Sequence, residues 1–421
     1  MSTSPARACG IDFGTSNSTV GWLRPGVEGS LLPLEDGKPT LPSAIFFNAD
    51  EESTHFGRNA LQEYLEGYEG RLMRALKSLL GSNLMDGSTE VAGRALPFRD
   101  LLASFIGELK TRAEAAAGRS FDQAVFGRPV FFVDDNPAAD QRAQDTLEAI
   151  ARQVGFRDVS FQFEPIGAAL HYESGLTREE LVLIADIGGG TADFSLVRLS
   201  PERARRDDRR EDLLGNAGLH VGGTDFDRAL SLECVMPLLG YRGLMKSGAE
   251  IPSNLFFQLA TWHTINFAYT RQAFADFQHI YRDATARREL DRLGRLIGQR
   301  EGHWLALQVE QAKIDLSTQA EARLQLDRLE AGLEHPISAE AFVQATRSLV
   351  ERVACTVSDL LQRIGVRPEE VDTLYFTGGA SGVPQLRERI AAVLPKARRV
   401  EGDLFGSIGA GLAVEARRRY G

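Results

Sequence analysis

Ile184 to Val197 reads IADIGGGTADFSLV. An apolar run of the kind a buried strand needs stops at Asp186. It passes Gly188, Gly189 and Gly190, then Thr191 and Asp193, before strand character returns. Near the N-terminus, CGIDFGTSNSTVGWL (Cys9 to Leu23) does nearly the same. The two stretches align without a gap: Asp12 with Asp186 and Gly14 with Gly188, each pair 174 residues apart (186 − 12 and 188 − 14). Either alone reads equally well as a structural turn. Two copies in corresponding places predict two related lobes that face each other.

The chemistry of such a tip is specific. Glycines and small hydroxyl residues between two strands expose successive backbone N–H groups to one anion, and the missing Cβ lets a phosphate approach. An aspartate at the strand end cannot neutralise phosphate, but it can hold Mg2+ through the metal's own waters. Two tips, one per lobe, form a clamp for a polyphosphate. Other phosphate cradles are absent. There is no G-x-x-x-x-G-K-[ST] loop, and GAGLAV, the nearest approach to G-x-G-x-x-G, ends in Val414 within a helical pattern.

Around the two tips, residues 7–50 read as a β-meander and 59–117 as helical, including RLMRALKSLL. AVFGRPVFFVDD, DVSFQFEP and VDTLYFT read as strands alternating with helices, the pattern of βαβ units. SPERARRDDRRED, with arginines among acids, reads as a solvated hairpin tip rather than a nucleic-acid site. Phe226 to about Ser317 is mainly helical and rich in aromatics. Trp262, Tyr269 and Phe277 could share one helical face, either as subdomain core or as a partner surface. His263, His279 and His303 lack metal-ligand spacing.

A chain of 421 residues is long enough for two to three domain-sized units, and its net charge of −10 argues against nucleic acid as a partner. Three scattered cysteines without CxxC spacing argue against a disulfide framework and against a zinc site, and Cys9 reads as a small core residue. No stretch approaches the ~18 uncharged apolar residues of a membrane span. MSTSPARACGIDF lacks the apolar region of a signal peptide. The expectation is a cytoplasmic monomer without membrane contact.

GIDFGTSNS, FEPIGAAL, IADIGGGTADFS, HVGGTDFD, VEQAKIDLS and YFTGGASGVP occur in the order and spacing of the ATPase domain of 70-kilodalton heat-shock proteins. The chain resembles that family from about Arg7 to Arg417, and GRPVFF, GFRDVSFQFEP, MPLLG and FGSIGAGLA look most like its YegD-like branch of chaperone-type proteins. The resemblance implies an α/β, two-lobed actin-like ATPase fold with duplicated ribonuclease H-like lobes. Lobe I would comprise 1–177 plus 401–421, with an inserted subdomain at about 45–121. Lobe II would comprise 178–400, with an insert at about 228–335.

The resemblance also implies roles. Asp12, Gly14, Thr15 and Ser16 look like the first phosphate loop, and Asp186, Gly188, Gly189, Gly190, Thr191 and Asp193 like the second. Asp12 and Asp186 would hold Mg2+ through water, and Asp193 would help orient the attacking water. Glu164 looks like the family's glutamate on the metal side. Lys77, in LKSLLG, looks like the lysine that reaches the terminal phosphate; read without the resemblance it is a solvated helix lysine. Gly222 and Gly223, before a helix beginning near Asp225, fit a phosphate contact at a helix N-terminus. Glu310, Lys313 and Ser317, at i, i+3 and i+7, would face ribose and adenine, and Gly378 and Gly379 would form the turn beside the adenosine. The implied ligands are ATP or ADP with Mg2+, and K+ as a further ion. A protein client or co-factor is the implied macromolecular partner.

The sequence departs from the family where it often sandwiches adenine between two arginines: Ile314 and Gly382 stand there. Ala380 replaces a serine, and Phe163 the polar residue before Glu164. The chain stops at ARRRYG, without the family's peptide-binding sandwich and lid, so the expectation is an ATPase module. Beside a slow ATPase switch of chaperone type stands a pseudo-ATPase scaffold. A small-molecule kinase would need a catalytic base that the sequence does not identify. A filament-forming actin relative fits the lysine and glutamate motifs less well.

Overall fold

The computed structural model describes residues 7–24, 30–82, 84–91, 93–133, 136–404 and 406–421. Phe405 of FGSIGAGLA, and Asp134 and Asp135 of the strand expected over AVFGRPVFFVDD, lie outside them; that strand spans Gln123–Arg128.

Two five-stranded sheets have the same order and the same directions. In the first, Asp158–Phe163, Gln123–Arg128, Ala8–Phe13, Asn17–Gly21 and Thr40–Pro42 lie side by side. In the second the sequence of neighbours is Arg398–Glu401, Thr373–Thr377, Glu180–Ile187, Ala192–Leu199 and Leu213–Leu219. Each sheet has an antiparallel meander on one side of its central strand and parallel strands on the other. The two aligned hairpins therefore occupy equivalent places, in register Asp12↔Thr19 and Asp186↔Asp193. Both central strands are almost wholly buried, which is why they read as unbroken apolar runs.

Helices exchange between the lobes. Glu164–Glu173, which leaves the first sheet, packs Ile166, Ala169 and Leu170 against Val182, Ile184 and Tyr375 of the second. Ser407–Tyr420, which leaves the second, packs Leu412 and Ala416 against Ala8 and Val125 of the first. The two helices cross in backbone contact: a Cβ on Gly411 would lie 1.8 Å from the Gly167 carbonyl oxygen. A Cβ on Gly10 would lie 2.2 Å from the Leu412 carbonyl carbon, so this helix also touches the first sheet's backbone.

Three expectations are corrected. RLMRALKSLL is not helical: Gly70–Arg74 is a strand beside Ala44–Asn48, and Leu76–Leu79 is a single 3-10 turn. The apolar spacing is real, but pairing in the small inserted sheet overrides it, and Ala75 at φ 54° reverses the chain. SPERARRDDRRED is not all solvated. Arg209 and Asp212 are buried, and Arg209 donates to Glu173 at 2.8 and 3.0 Å and to Asp212, which also accepts from Arg203. Trp262, Tyr269 and Phe277 do not share one face. Trp262–Tyr269 is a 3-10 helix, and Thr270 caps a separate helix, Arg271–Asp283. Phe277 is buried while Phe267 and Phe274 are exposed; Cys9 is buried as expected.

No helix among the described residues is long and apolar enough to cross a membrane. The helix crossing gives a direct test. Gly411→Val must push two backbones apart and should destabilise by about 1–3 kcal/mol or more. Gly190→Ala, whose Cβ would meet nothing within 4 Å, should leave the urea midpoint unchanged.

Candidate functional site

Four charged groups converge where the hairpin ends of the two sheets meet. Asp12 is the penultimate residue of one central strand and Asp186 of the other. Glu164 is the first residue of its helix, and Lys77 comes from the 3-10 turn that Ala75 redirects. The Lys77 ammonium donates to Glu164 Oε1, with both side chains nearly covered. Lys77 is thus no solvated helix lysine.

Burial, then the charge of Glu164, pushes Asp12 up to about 7, against the pull of Lys77. Burial, then Asp193, Glu164 and Asp12, pushes Asp186 up to about 8. Burial alone would lower Lys77, but Glu164, Asp12 and Asp186 hold it above its ordinary value. Asp12, Glu164, Asp186 and Asp193 crowd around Lys77, so ionising all four acids together is unfavourable.

Glycines surround this charge for steric reasons. Gly188 N–H donates to the Thr191 carbonyl at 2.9 Å and closes the turn. The N-terminus of helix Gly223–Leu230 is stitched to the turn: Gly223 N donates to Gly188 O at 3.0 Å and Thr224 N to Gly189 O at 2.8 Å. A Cβ on Gly222 would sit 2.5 Å from the Gly190 nitrogen, and one on Gly189 would sit 2.5 Å from Ser16 Oγ of the other lobe. Gly190 faces open space. Gly378, at φ 81°, would place a Cβ 2.5 Å from Asp186 Oδ1, and Gly379 opens the 3-10 turn that follows. In lobe I the Gly14 carbonyl accepts from Ser43 Oγ at 2.7 Å, Thr15 is exposed and Ser16 half-buried. Thr191 and Asp193 lie exposed at the start of their strand.

Glu310, Lys313 and Ser317 lie along helix Gly302–Leu316 and its cap but do different things. Lys313 is buried and pairs with Asp227 at 2.8 Å, beside the Gly223 carbonyl. Burial pushes Asp227 up to about 6, opposed by Lys313. Glu310 is exposed, and Ser317 Oγ donates to the Lys313 carbonyl at 3.1 Å. Ile314 is 52% exposed, and a Cβ on Gly382 would meet only Leu404, at 3.7 Å.

A second contact between the inserts was not legible in the sequence. Tyr64, on helix Gly57–Glu66, stacks edge-on against His303, and its hydroxyl lies 2.7 Å from Asn266 Nδ2. The Arg74 guanidinium lies 4.7 Å from the centre of the Trp262 ring, and Trp262 packs against His303. Burial pushes His303 down to about 4, reinforced by the Arg74 charge. These partners are about 200 residues apart, so no local spacing could announce them. Asp227 and Lys313, 86 residues apart, likewise share no local spacing.

The residues present fit a Mg2+-bound polyphosphate. Burial and neighbouring acids disfavour the ionised forms of Asp12 and Asp186, a penalty that a bound cation would relieve, and Gly190 faces open space.

A family model described as Hsp70 protein matches residues 88–237 and 279–417. Among curated relatives, the chaperone protein DnaK of Thermosipho melanesiensis is 26% identical over 423 residues, covering 98% of this chain and 59% of that protein. DnaK of Thermotoga maritima is 26% identical over 418 residues, covering 97% and 58%. DnaK of Mycoplasmoides gallisepticum is 26% identical over 426 residues, covering 97% and 60%. The chain thus spans about three-fifths of the length of the curated relatives it matches.

The raised carboxylates make a stability prediction. Folded Asp12 and Asp186 keep protons that the unfolded chain gives up near its ordinary 3.8, so stability should fall as pH rises from about 4 to about 8. Asp186→Asn should flatten that slope and stabilise the ligand-free protein at pH ~9 by at least ~1 kcal/mol, read by chemical denaturation.

Proposed function

The chain belongs to the Hsp70 protein family, and on that premise we propose that it binds ATP and ADP with Mg2+ between two lobes and hydrolyses ATP slowly. The observation that carries this reading is the convergence of Asp12, Glu164, Asp186 and Lys77 beneath the glycine turns. Asp12 and Asp186 would hold a hydrated Mg2+, which neutralises and orients the polyphosphate when bound. Gly189 and Gly190 would present backbone N–H groups to phosphate oxygens, Gly222 and Gly223 hold the helix start against that turn through their own hydrogen bonds, and Gly14, Thr15 and Ser16 stand opposite. Lys77 supplies a compact positive charge for the terminal phosphate, and Glu164 holds it in place. Thr191 and Asp193 stand at the mouth of the site, where a hydroxyl and a carboxylate can position a water and accept its proton. Lys313, buttressed by Asp227, and the Gly378–Gly379 turn face the nucleoside end.

The moving bodies in this reading are 1–177 with 401–421, and 178–400, with inserts at about 45–121 and 228–335. Gly167 and Gly411 both belong to the first body, and the packing of its helix Glu164–Glu173 on Val182, Ile184 and Tyr375 supports a pivot between the two. The Tyr64–Asn266–His303 contact and the Arg74–Trp262 stack act as a clasp over the cleft. The output is a nucleotide-dependent switch of chaperone type in a cytoplasmic monomer, acting on a protein client or co-factor. A pseudo-ATPase scaffold is the second reading, favoured by Ile314 and Gly382 on the adenine side.

Calorimetry should detect ATP and ADP binding that depends on Mg2+; no binding would refute the proposal. Lys77→Ala should slow single-turnover hydrolysis by about 10²-fold or more. An unchanged rate refutes the lysine's role, and binding without measurable turnover in the unaltered protein selects the scaffold.

The clasp has its own readout. Between pH ~6.5 and ~4 the folded His303 stays neutral while a released His303 takes a proton, so acid favours the open clasp. Nucleotide release, followed with a fluorescent ADP analogue, should quicken as pH falls through that window. Tyr64→Ala should quicken it at neutral pH, and His303→Gln should remove the acid effect.

A further inference from the structure

Away from the cleft, three metal-ligating side chains meet on the lobe I insert. Glu51, His55 and Glu63 each bring one ligand atom to within 4.8 Å of the others. They come from three places: a turn, the strand Ser53–Phe56 and the helix Gly57–Glu66.

A buried asparagine organises them. Asn48 is 3% exposed, donates to Glu63 Oε2 at 2.8 Å, and accepts from the backbone N–H of Glu51 at 3.0 Å. It therefore fixes one carboxylate directly and the other through its backbone. His55 Nε2 lies 2.7 Å from Ser53 Oγ, which leaves Nδ1 directed at Glu63 Oε1, 3.0 Å away. This is the outer-shell arrangement that orients an imidazole ligand and sets its tautomer. A simple ion pair accounts for His55 and Glu63 but not for Glu51, whose second carboxylate leaves the group with excess negative charge.

We propose that Glu51, His55 and Glu63 bind a divalent transition-metal cation of the Zn2+ class. Two carboxylates and one imidazole suit a borderline cation with N and O ligands. The imidazole disfavours Mg2+ and Ca2+, and the lack of thiolate disfavours softer ions. A four-coordinate ion at about 2.0–2.2 Å from each ligand sets the ligand atoms about 3.4 Å apart, so His55 Nδ1 and Glu63 Oε1, 3.0 Å apart, separate slightly and Glu51 adjusts on its exposed turn, with water in the fourth position. The site is one residue from Tyr64, so the cation braces the helix that carries the clasp tyrosine.

The test is Zn2+ titrated by calorimetry into the full chain with excess Mg2+ present, so that the cleft acids are engaged. One Zn2+ equivalent is expected, weakened at least ~10-fold in His55→Ala and in Glu63→Gln and retained in Asp186→Asn. Co2+ in place of Zn2+ should give a four-coordinate visible absorption band that His55→Ala abolishes. Unfolding transitions in chelator establish that each variant is folded. Glu51→Gln, a change on an exposed turn, must weaken binding as well, and it decides the matter if the other two fail to fold. No Zn2+ binding, equal binding in all variants, or loss in Asp186→Asn alone would overturn the inference.

Discussion

Two helices touch backbone to backbone at Gly167 and Gly411, and the rest of the molecule is arranged around that contact. Each helix leaves one sheet and packs on the other, so the two lobes are tied by exchanged elements rather than by a surface patch. A side chain at the crossing would hold the helices apart, because the interior has no spare volume. Glu164 opens the first of these helices, so the element that joins the lobes also delivers an acid to the cleft. Position and charge of the site are thus set by one packing decision.

The cleft concentrates negative charge at a cost. Burial and mutual repulsion raise Asp12 and Asp186 far above ordinary carboxylates, and Lys77 opposes that shift. A protein selected only for stability would place amides there. Sites that bind cations and phosphate keep such strain because the ligand relieves it. The glycine turns follow the same logic. Gly189, Gly222 and Gly378 lack side chains because neighbouring backbone, Ser16 and Asp186 already occupy the space, while Gly190 lacks one beside open space.

Much of this was legible. The hairpins at Asp12 and Asp186 announced themselves through apolar runs that stop at an aspartate and through a glycine two residues on, a spacing that recurs in both halves. The buried strands, the helix start at Gly223 and the polar helix with Lys313 could be read locally. RLMRALKSLL could not, since its apolar spacing suits a helix but its partner strand, Ala44–Asn48, lies far back in the sequence. The arginine-rich tip misled for a similar reason. Arg209 looks like a surface charge until Glu173 is folded against it. The Tyr64, Asn266 and His303 contact had no local signature at all, and Trp262 and Asn266 fall between the two segments that match the Hsp70 model.

By itself the sequence determined the duplicated strand–turn–strand units, the acids at their ends and the family to which they belong. Those features depend on steric and hydrogen-bonding rules between near neighbours in the chain. Only the tertiary structure decided which lysine meets Glu164, which aspartate holds Lys313, and which aromatic residues bridge the cleft. Each of those choices depends on burial and on charge between groups far apart in the chain. Their energies exist only once water has been excluded and the lobes have been brought together.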